Sequence, residues 1–170
     1  EEMIGQDAIV KTLNNAIKKD NIPQALLFCG PRGVGKTSCA RILAKTINNL
    51  EEQFEYNIFE LDAASNNSVE DIRNITDQIR IPPQTGRYKV YIIDEVHMLS
   101  NQAFNAFLKS LEEPPEHVVF ILATTEKNKI LPTILSRCQI YDFKKVDSKS
   151  ITKLLLKICK EKKIKYEDGS

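Results

Sequence analysis

Residues 30–37 read Gly-Pro-Arg-Gly-Val-Gly-Lys-Thr, which fits the phosphate-binding pattern of Gly, four residues and Gly-Lys-Ser/Thr. The apolar run from Ala25 to Cys29 precedes this stretch and predicts a buried strand. A helix is predicted from Ser38 to Ile47, because apolar residues recur there at helical spacing. The sequence therefore predicts a strand, a glycine-rich loop and a helix in direct succession.

This succession suits phosphate binding. Glycines reach backbone angles that other residues avoid, so successive N–H groups can converge on one anion. The first turn of the helix adds unpaired N–H groups and the positive end of the helix dipole. We expect the Lys36 ammonium to reach the β- and γ-phosphates of a nucleotide and the Thr37 hydroxyl to bind Mg²⁺. The residues predicted to surround the phosphates are Gly30, Pro31, Arg32, Gly33, Val34, Gly35, Lys36, Thr37 and Ser38.

A second apolar strand, Lys89 to Glu95, is predicted to deliver two carboxylates at its carboxyl end. Ligands of open α/β sheets bind at that edge. Asp94 fits the carboxylate that holds Mg²⁺ in P-loop enzymes, and Glu95 fits a base that orients the attacking water. An Asp-Glu pair also occurs where a strand simply turns into a helix, and a glycine-rich turn can match the loop pattern by chance. The two motifs together favour nucleotide binding.

Strands and helices alternate along the rest of the chain. This order predicts an α/β fold in which a parallel sheet is covered by helices on both faces. Further strands are predicted at 58–61, 118–123 and 139–143, which makes five. Ser68 to Asp71 resembles a helix-capping box, and residues 48–56 are predicted to form a loop. A hydroxyl at Thr124-Thr125 would lie beside the acidic strand end, whereas His97 is expected to be a packed or hydrogen-bonded histidine.

The bulk composition is that of a globular protein. The 170 residues are 42% apolar and 28% charged, enough for one domain with a proper core. A net charge of +1 argues against a strongly basic nucleic-acid module acting alone, although a local patch can still bind DNA. The sequence has no run long enough to span a membrane and opens with Glu1-Glu2, so we expect a cytoplasmic protein without membrane contact.

The four cysteines, Cys29, Cys39, Cys138 and Cys159, form no C-x-x-C pair. Three of them lie in apolar, periodic contexts typical of buried reduced thiols.

The chain resembles the AAA+ ATPases of the clamp-loader group, and most closely the N-terminal ATPase domain of the gamma/tau family of bacterial DNA polymerase III subunits. Six stretches carry the resemblance: Ile4-Gly5-Gln6, Gly30 to Thr37, Leu61 to Ser65, Ile93 to Ser100, Leu111 to His117 and Leu135 to Cys138. It implies a three-layer αβα sandwich of the P-loop AAA+ type with a central parallel five-stranded sheet and the start of a small helical lid.

The resemblance also implies roles for single residues. Ile4, Gly5 and Gln6 would lie near the adenine, and Thr125 would be the sensor-1 position. Arg137 would be an arginine finger that acts on ATP bound to the neighbouring subunit. A planar, permanently charged guanidinium suits that role, although a surface ion pair is the alternative for Arg137.

The function implied is that of an ATP-hydrolysing motor subunit. It would work with ATP and Mg²⁺ in a hetero-oligomeric ring of clamp-loader subunits, which loads the sliding clamp onto primed DNA. The chain contains no residues that would indicate polymerase chemistry. The alternatives are a replication factor C-like or Holliday-junction motor, a non-hydrolysing structural clamp-loader subunit and, more weakly, a DExH helicase.

Two departures from the family pattern lead to further expectations. Gamma/tau subunits usually carry a four-cysteine zinc module after the P-loop helix, but residues 48–56 contain no cysteine, so no zinc site is expected. The lid is expected to begin near Lys145 and to lack the sensor-2 arginine. We therefore expect two parts, a nucleotide-binding core, 1–145, and a truncated lid, 146–170.

Overall fold

Five parallel strands form one sheet in the computed structural model, which describes residues 3–48 and 57–162. The strands are β1 (Ala25–Cys29), β2 (Ile58–Asp62), β3 (Lys89–Asp94), β4 (Val118–Thr124) and β5 (Gln139–Asp142). The helices are α1 (Asp7–Lys18), α2 (Lys36–Asn48), α3 (Val69–Ile79), α4 (Asn101–Glu112), α5 (Pro132–Leu135) and α6 (Ser148–Lys162). The strands lie side by side in the order β2-β3-β4-β1-β5, and every neighbouring pair is parallel. The predicted α/β fold with a five-stranded parallel sheet is confirmed.

Each face of the sheet is covered by a separate apolar cluster. Alternate side chains of β3 divide between them: Tyr91 and Ile93 pack with α3 and α4, and Val90 and Ile92 pack with α1 and α2. Because successive side chains of a strand point to opposite faces, a central strand covered on both sides must be apolar throughout. All seven residues of β4 are buried, which places the predicted fully apolar strand at the centre of the sheet.

The register of the central strands brings their carboxyl ends to the same level. Cys29, the last residue of β1, pairs with Thr124, the last residue of β4. On the other side of β4, Leu122 pairs with Ile93, so β3 ends beside the end of β4. Whatever follows these three strands therefore meets at one edge.

Serine side chains begin two of the helices that cover the sheet. Ser68 Oγ accepts the Asp71 N–H at 3.2 Å, and Asp71 Oδ2 accepts the Ser68 N–H at 3.2 Å. This is the predicted capping box. Ser100 caps α4 in the same way, through the Ala103 N–H at 3.2 Å. Such caps satisfy N–H groups that lack partners within the helix.

The helix that leaves the glycine-rich loop is longer than predicted. It begins at Lys36 rather than Ser38 and ends at Asn48, which was assigned to the following loop. Asn48 is buried, and its Oδ1 accepts the N–H groups of Arg87 at 3.1 Å and Tyr88 at 2.7 Å. This tertiary contact explains why a polar residue ends a helix in the interior. The remainder of the predicted loop, 49–56, lies outside the described residues.

The predicted lid falls mainly on α6, which starts at Ser148 and exposes Ile151, Leu155 and Ile158. Residues 163–170 of that predicted segment lie outside the described part of the chain. Within the described ranges, the helices are too short or too polar to cross a lipid bilayer.

We predict that Phe107→Ala lowers the free energy of unfolding by about 3–5 kcal/mol, because it leaves a cavity in the core. The Phe107 side chain is fully buried, and its ring meets Phe120 edge to face at 5.1 Å between centroids. Urea unfolding of the two proteins measures the difference. The control is Ile81→Ala, at a side chain that is 60% exposed, for which we expect a change within about 0.5 kcal/mol. Equal effects of the two substitutions would contradict this assignment of the core.

Candidate nucleotide-binding site

The glycine-rich loop lies between β1 and α2 at the carboxyl edge of the sheet. Its three glycines all have positive φ: Gly30 at 149°, Gly33 at 77° and Gly35 at 92°. At Gly30 a side chain is also excluded by contact, because a Cβ there would lie 2.5 Å from the carbonyl oxygen of Phe143. The spacing of glycines in the sequence therefore reflects both the backbone path and a close approach to the segment after β5.

Lys36 is the first residue of α2, and it is only 6% exposed. Its Nζ donates hydrogen bonds to the carbonyl oxygens of Gly30 and Pro31, each at 2.8 Å. Burial lowers the pKa of Lys36, and the nearby carboxylates of Glu95 and Asp94 oppose that shift. The loop therefore holds a desolvated ammonium beside its own backbone, where an anion of several charges would be strongly attracted.

Thr37 and Asp94, the two predicted Mg²⁺ ligands, are in direct contact. Thr37 Oγ1 donates to Asp94 Oδ2 at 2.6 Å, although the two residues are 57 positions apart. The other oxygen, Asp94 Oδ1, accepts the Glu95 N–H at 2.9 Å. A hydroxyl and a carboxylate together fit Mg²⁺, which prefers oxygen ligands and completes its octahedron with water and phosphate oxygens. The residues present thus fit a metal bound together with a nucleotide.

The predicted strand included Glu95, but β3 ends at Asp94, and Glu95 turns the chain away from the strand. Its backbone is left-handed, with φ 47° and ψ 44°, and a short 3-10 helix, Val96–Met98, follows. A non-glycine residue in this region is uncommon and has to be held there by its surroundings. The Glu95 carboxylate provides such a restraint, because its Oε2 accepts hydrogen bonds from the Thr125 N–H at 3.1 Å and the Thr125 hydroxyl at 2.9 Å.

A cleft of about 420 Å³ opens over these groups, and Lys36, Thr37, Asp94 and Glu95 all line it. Arg32, Gly33, Gly35 and Ser38 line it as well, whereas the predicted residues Gly30, Pro31 and Val34 are not among its lining residues. The cleft brings four of the predicted catalytic and metal-binding residues together from two distant parts of the sequence.

Asp62 and Ala64 also line the cleft, and neither was predicted as a site residue. Asp62 ends β2, and its Oδ1 accepts the Ala64 N–H at 2.9 Å. The rule applied to β3, a carboxylate at the carboxyl end of a parallel strand, would have identified Asp62.

The residues predicted near the adenine contact the chain after β5. Gln6 Nε2 donates to the Lys144 carbonyl at 2.7 Å, and Gln6 Oε1 accepts the Lys144 N–H at 3.2 Å. A Cβ at Gly5 would lie 3.2 Å from Val146. Ile4, Gly5 and Gln6 are not among the residues that line the cleft over Lys36, so their role in binding adenine stays a prediction.

Arg137 lies outside this cleft. Its Nη2 donates to Glu112 Oε1 at 2.7 Å, and its Nη1 donates to the Thr133 carbonyl at 2.6 Å. The side chain is 33% exposed. Within one chain Arg137 therefore forms the ion pair considered as the alternative, and action on a neighbouring site stays a prediction.

The cysteines are spread through the fold. Burial raises the pKa of the Cys29 and Cys39 thiols to about 11 and that of Cys138 to about 12, which disfavours the thiolate that binds metals. Among residues 3–48 and 57–162, no three His, Cys, Asp or Glu side chains are grouped so as to hold a metal ion.

Comparison with known proteins agrees with this geometry. The family model described as "DNA polymerase III, delta subunit" matches residues 5–58 and 50–147. The chain belongs to this DNA polymerase III subunit family.

Curated relatives in this family carry gamma and tau names. The chain is 48% identical to the DNA polymerase III subunit tau of Bacillus subtilis, over 100% of this chain and 33% of the relative. It is 44% identical to the tau subunit of Escherichia coli, over 98% of this chain and 28% of the relative. The predicted resemblance to the N-terminal domain of gamma/tau subunits is confirmed, and the chain spans about a third of these relatives' length.

Solved structures share the fold. A DNA polymerase III gamma subunit-related protein from Thermotoga maritima has a TM-score of 0.70 at 24% identity, covering 88% of this chain and 52% of that one. The RuvB Holliday junction branch migration motor of the same organism has a TM-score of 0.75 at 21% identity, covering 97% and 54%. At these identities the likeness supports the fold alone.

The buried thiols predict how stability depends on pH. Above the ordinary thiol pKa of 9.0 the unfolded chain loses protons that folded Cys29 and Cys39 keep up to about pH 11. Stability present below pH 9 is therefore lost as the pH rises through this window. Under reducing conditions, we expect the urea midpoint to fall between about pH 8 and about pH 10.5, and to fall less in Cys39→Ala. An equal fall in both proteins would contradict the assignment.

Proposed function

We propose that this chain is the ATP-binding and ATP-hydrolysing part of a clamp-loader motor subunit. The observation that carries the proposal is the convergence of Lys36, Thr37, Asp94 and Glu95 on one cleft at the carboxyl edge of the sheet. These side chains supply a cation for phosphate, two oxygen ligands for a metal and a carboxylate for a water molecule. A non-hydrolysing structural subunit would have no need for this combination.

ATP binding would begin at the glycine-rich loop. The backbone N–H groups of the loop and of the start of α2 would surround the phosphates, and Lys36 would turn its ammonium from the Gly30 and Pro31 carbonyls to the β- and γ-phosphates. Thr37 and Asp94 would hold Mg²⁺, which when bound neutralises charge on the transferring phosphoryl group. Ile4, Gly5 and Gln6 would border the adenine.

Hydrolysis would depend on Glu95 and Thr125. Glu95 would orient the attacking water and accept its proton as the bond from water to the γ-phosphorus forms and the bond from that phosphorus to the ADP oxygen breaks. The Thr125 hydroxyl, which donates to Glu95 Oε2, would also sense the γ-phosphate, although Thr125 is not among the residues that line the cleft. One hydroxyl hydrogen serves one acceptor at a time. A hydrogen bond from Thr125 to the γ-phosphate would therefore replace its hydrogen bond to Glu95.

The relatives named gamma and tau extend the proposal to an assembly. The core, 1–145, would be followed by a helical lid that begins with 146–170. Arg137 of one subunit would complete the site of the next, in a cytoplasmic hetero-oligomeric ring that places a sliding clamp on primed DNA. ATP-dependent contacts at the interface would bias the ring between two arrangements. The polymerase reaction itself would belong to other subunits.

We predict that Lys36→Ala abolishes steady-state ATP turnover by the full-length protein with its partner subunits, because the charge that stabilises the phosphates is lost. Phosphate release measures turnover, and Lys45→Ala, in the same helix α2 but not among the residues lining the cleft, is the matched control. If the Lys36 variant hydrolysed ATP at the control rate, the loop would have no part in hydrolysis by this subunit. The chain would then be better explained as a non-hydrolysing structural subunit.

We predict that Arg137→Ala leaves nucleotide affinity of its own subunit within about twofold, but slows hydrolysis at the facing site by about 10³-fold or more. Rings assembled from mixtures of Arg137→Ala and Lys36→Ala subunits test this, because each variant keeps the residue that the other lacks. Turnover should survive wherever an intact loop faces an intact arginine. A defect confined to the subunit that carries Arg137→Ala would contradict action in trans.

A further inference from the structure

His97 is expected from the sequence to be a packed or hydrogen-bonded histidine, and in the structure it is both. It lies in the short helix Val96–Met98 that follows β3, and its side chain is only 5% exposed. Both of its ring nitrogens face polar groups. The Nδ1 atom lies 2.9 Å from Thr124 Oγ1 and 3.3 Å from Glu95 Oε2, and the Nε2 atom lies 3.5 Å from Glu126 Oε1.

These contacts join the segment that follows β3 to the carboxyl end of β4. Thr124 is the last residue of β4, and its carbonyl oxygen accepts the N–H of Gly30, the first residue of the glycine-rich loop, at 3.2 Å. Its hydroxyl accepts the Glu126 N–H at 3.0 Å and faces His97. The imidazole therefore connects Glu95 to a buried threonine that is itself bonded to the loop.

The contacts of the Glu95 carboxylate are one-sided. Within the described residues, every contact made by this carboxylate goes to Oε2, from the Thr125 N–H, the Thr125 hydroxyl and the ring of His97. The other oxygen, Oε1, makes no hydrogen bond or ion pair with the described residues, and Glu95 is one of the residues that line the cleft. Holding one oxygen and presenting the other is the arrangement needed to aim a single acceptor at a water molecule.

We propose that His97 is a positioning residue for hydrolysis: with its proton on Nδ1, shared between Thr124 Oγ1 at 2.9 Å and Glu95 Oε2 at 3.3 Å, it restrains Glu95 so that Oε1 faces the reacting water. This rests on the proposed function, because it assigns the water-orienting role to Glu95. The left-handed backbone at Glu95 makes such a restraint necessary, since a strained residue keeps its orientation only when several contacts fix it. Thr125 supplies the restraint from the position after β4, and His97 supplies it from the short helix that follows Glu95.

Side-chain shape allows the two ring nitrogens to be tested separately. The amide of Asn reaches approximately the position of Nδ1, the amide of Gln reaches that of Nε2, and Phe keeps the ring volume without either nitrogen. The control is His117→Phe at the only other histidine of the chain. His117 contacts the Ile79 carbonyl at 3.0 Å through Nε2 and does not line the cleft.

The experiment measures ATP turnover and nucleotide affinity of the full-length protein with its partner subunits. We expect His97→Phe and His97→Gln to lower kcat by about 10–100-fold while KM and the Kd for nucleotide stay within about threefold. His97→Asn should recover most of kcat, and His117→Phe should match the unmodified protein. Wild-type kcat in His97→Phe, or equal losses in the Asn, Gln and Phe variants, would overturn the proposal.

A second background shows whether His97 acts through Glu95. In the Glu95→Gln protein, adding His97→Phe should leave the single-turnover rate of hydrolysis unchanged, because the carboxylate that His97 positions is already absent. An additional loss of the same size as in the unmodified protein would mean that His97 acts independently and would overturn the proposal. The proposed function fails separately, if Glu95→Gln alone hydrolyses ATP at the unmodified rate.

Discussion

The parallel hydrogen-bonded register of β1, β4 and β3 is the constraint on which the site depends. It ends the three strands at one level, so that the glycine-rich loop after Cys29, the hydroxyls at Thr124 and Thr125 and the carboxylates after Ile93 meet at a single edge. The strands can stay in this register because both faces of the sheet are buried, and a shift by one residue would exchange the side chains of the two faces. Packing of the core and geometry of the site are therefore consequences of the same alignment.

Much of this arrangement follows from the sequence, for identifiable reasons. The uninterrupted apolar runs of β1, β3 and β4 predict buried parallel strands, and Ser68 with Asp71 predicts where α3 begins. Parallel strands present their carboxyl ends together, which is why Asp94 could be predicted to lie near Thr37 although 57 residues separate them. Three of the six stretches that carry the resemblance to gamma/tau subunits, 30–37, 61–65 and 93–100, lie at this edge, and the comparisons agree with the resemblance.

What the sequence could not predict depends on contacts between its distant parts. The strand order β2-β3-β4-β1-β5 is set by packing and not by any local pattern. Glu95 leaves the strand in a left-handed conformation because Thr125, 30 residues away, holds its carboxylate. No motif indicates which groups meet the two ring nitrogens of His97, because those groups are brought to the ring only by the fold.

We propose that the edge formed by these strands binds ATP together with Mg²⁺ between Thr37 and Asp94. Titration of the full-length protein with a fluorescent ATP analogue, with and without Mg²⁺, tests it most directly when Asp94→Asn is titrated in parallel. The account predicts that Mg²⁺ tightens binding by the unmodified protein and has little effect on the variant, because the carboxylate that holds the metal is lost. An equal gain from Mg²⁺ in both proteins, or no saturable binding by the unmodified protein, would contradict it.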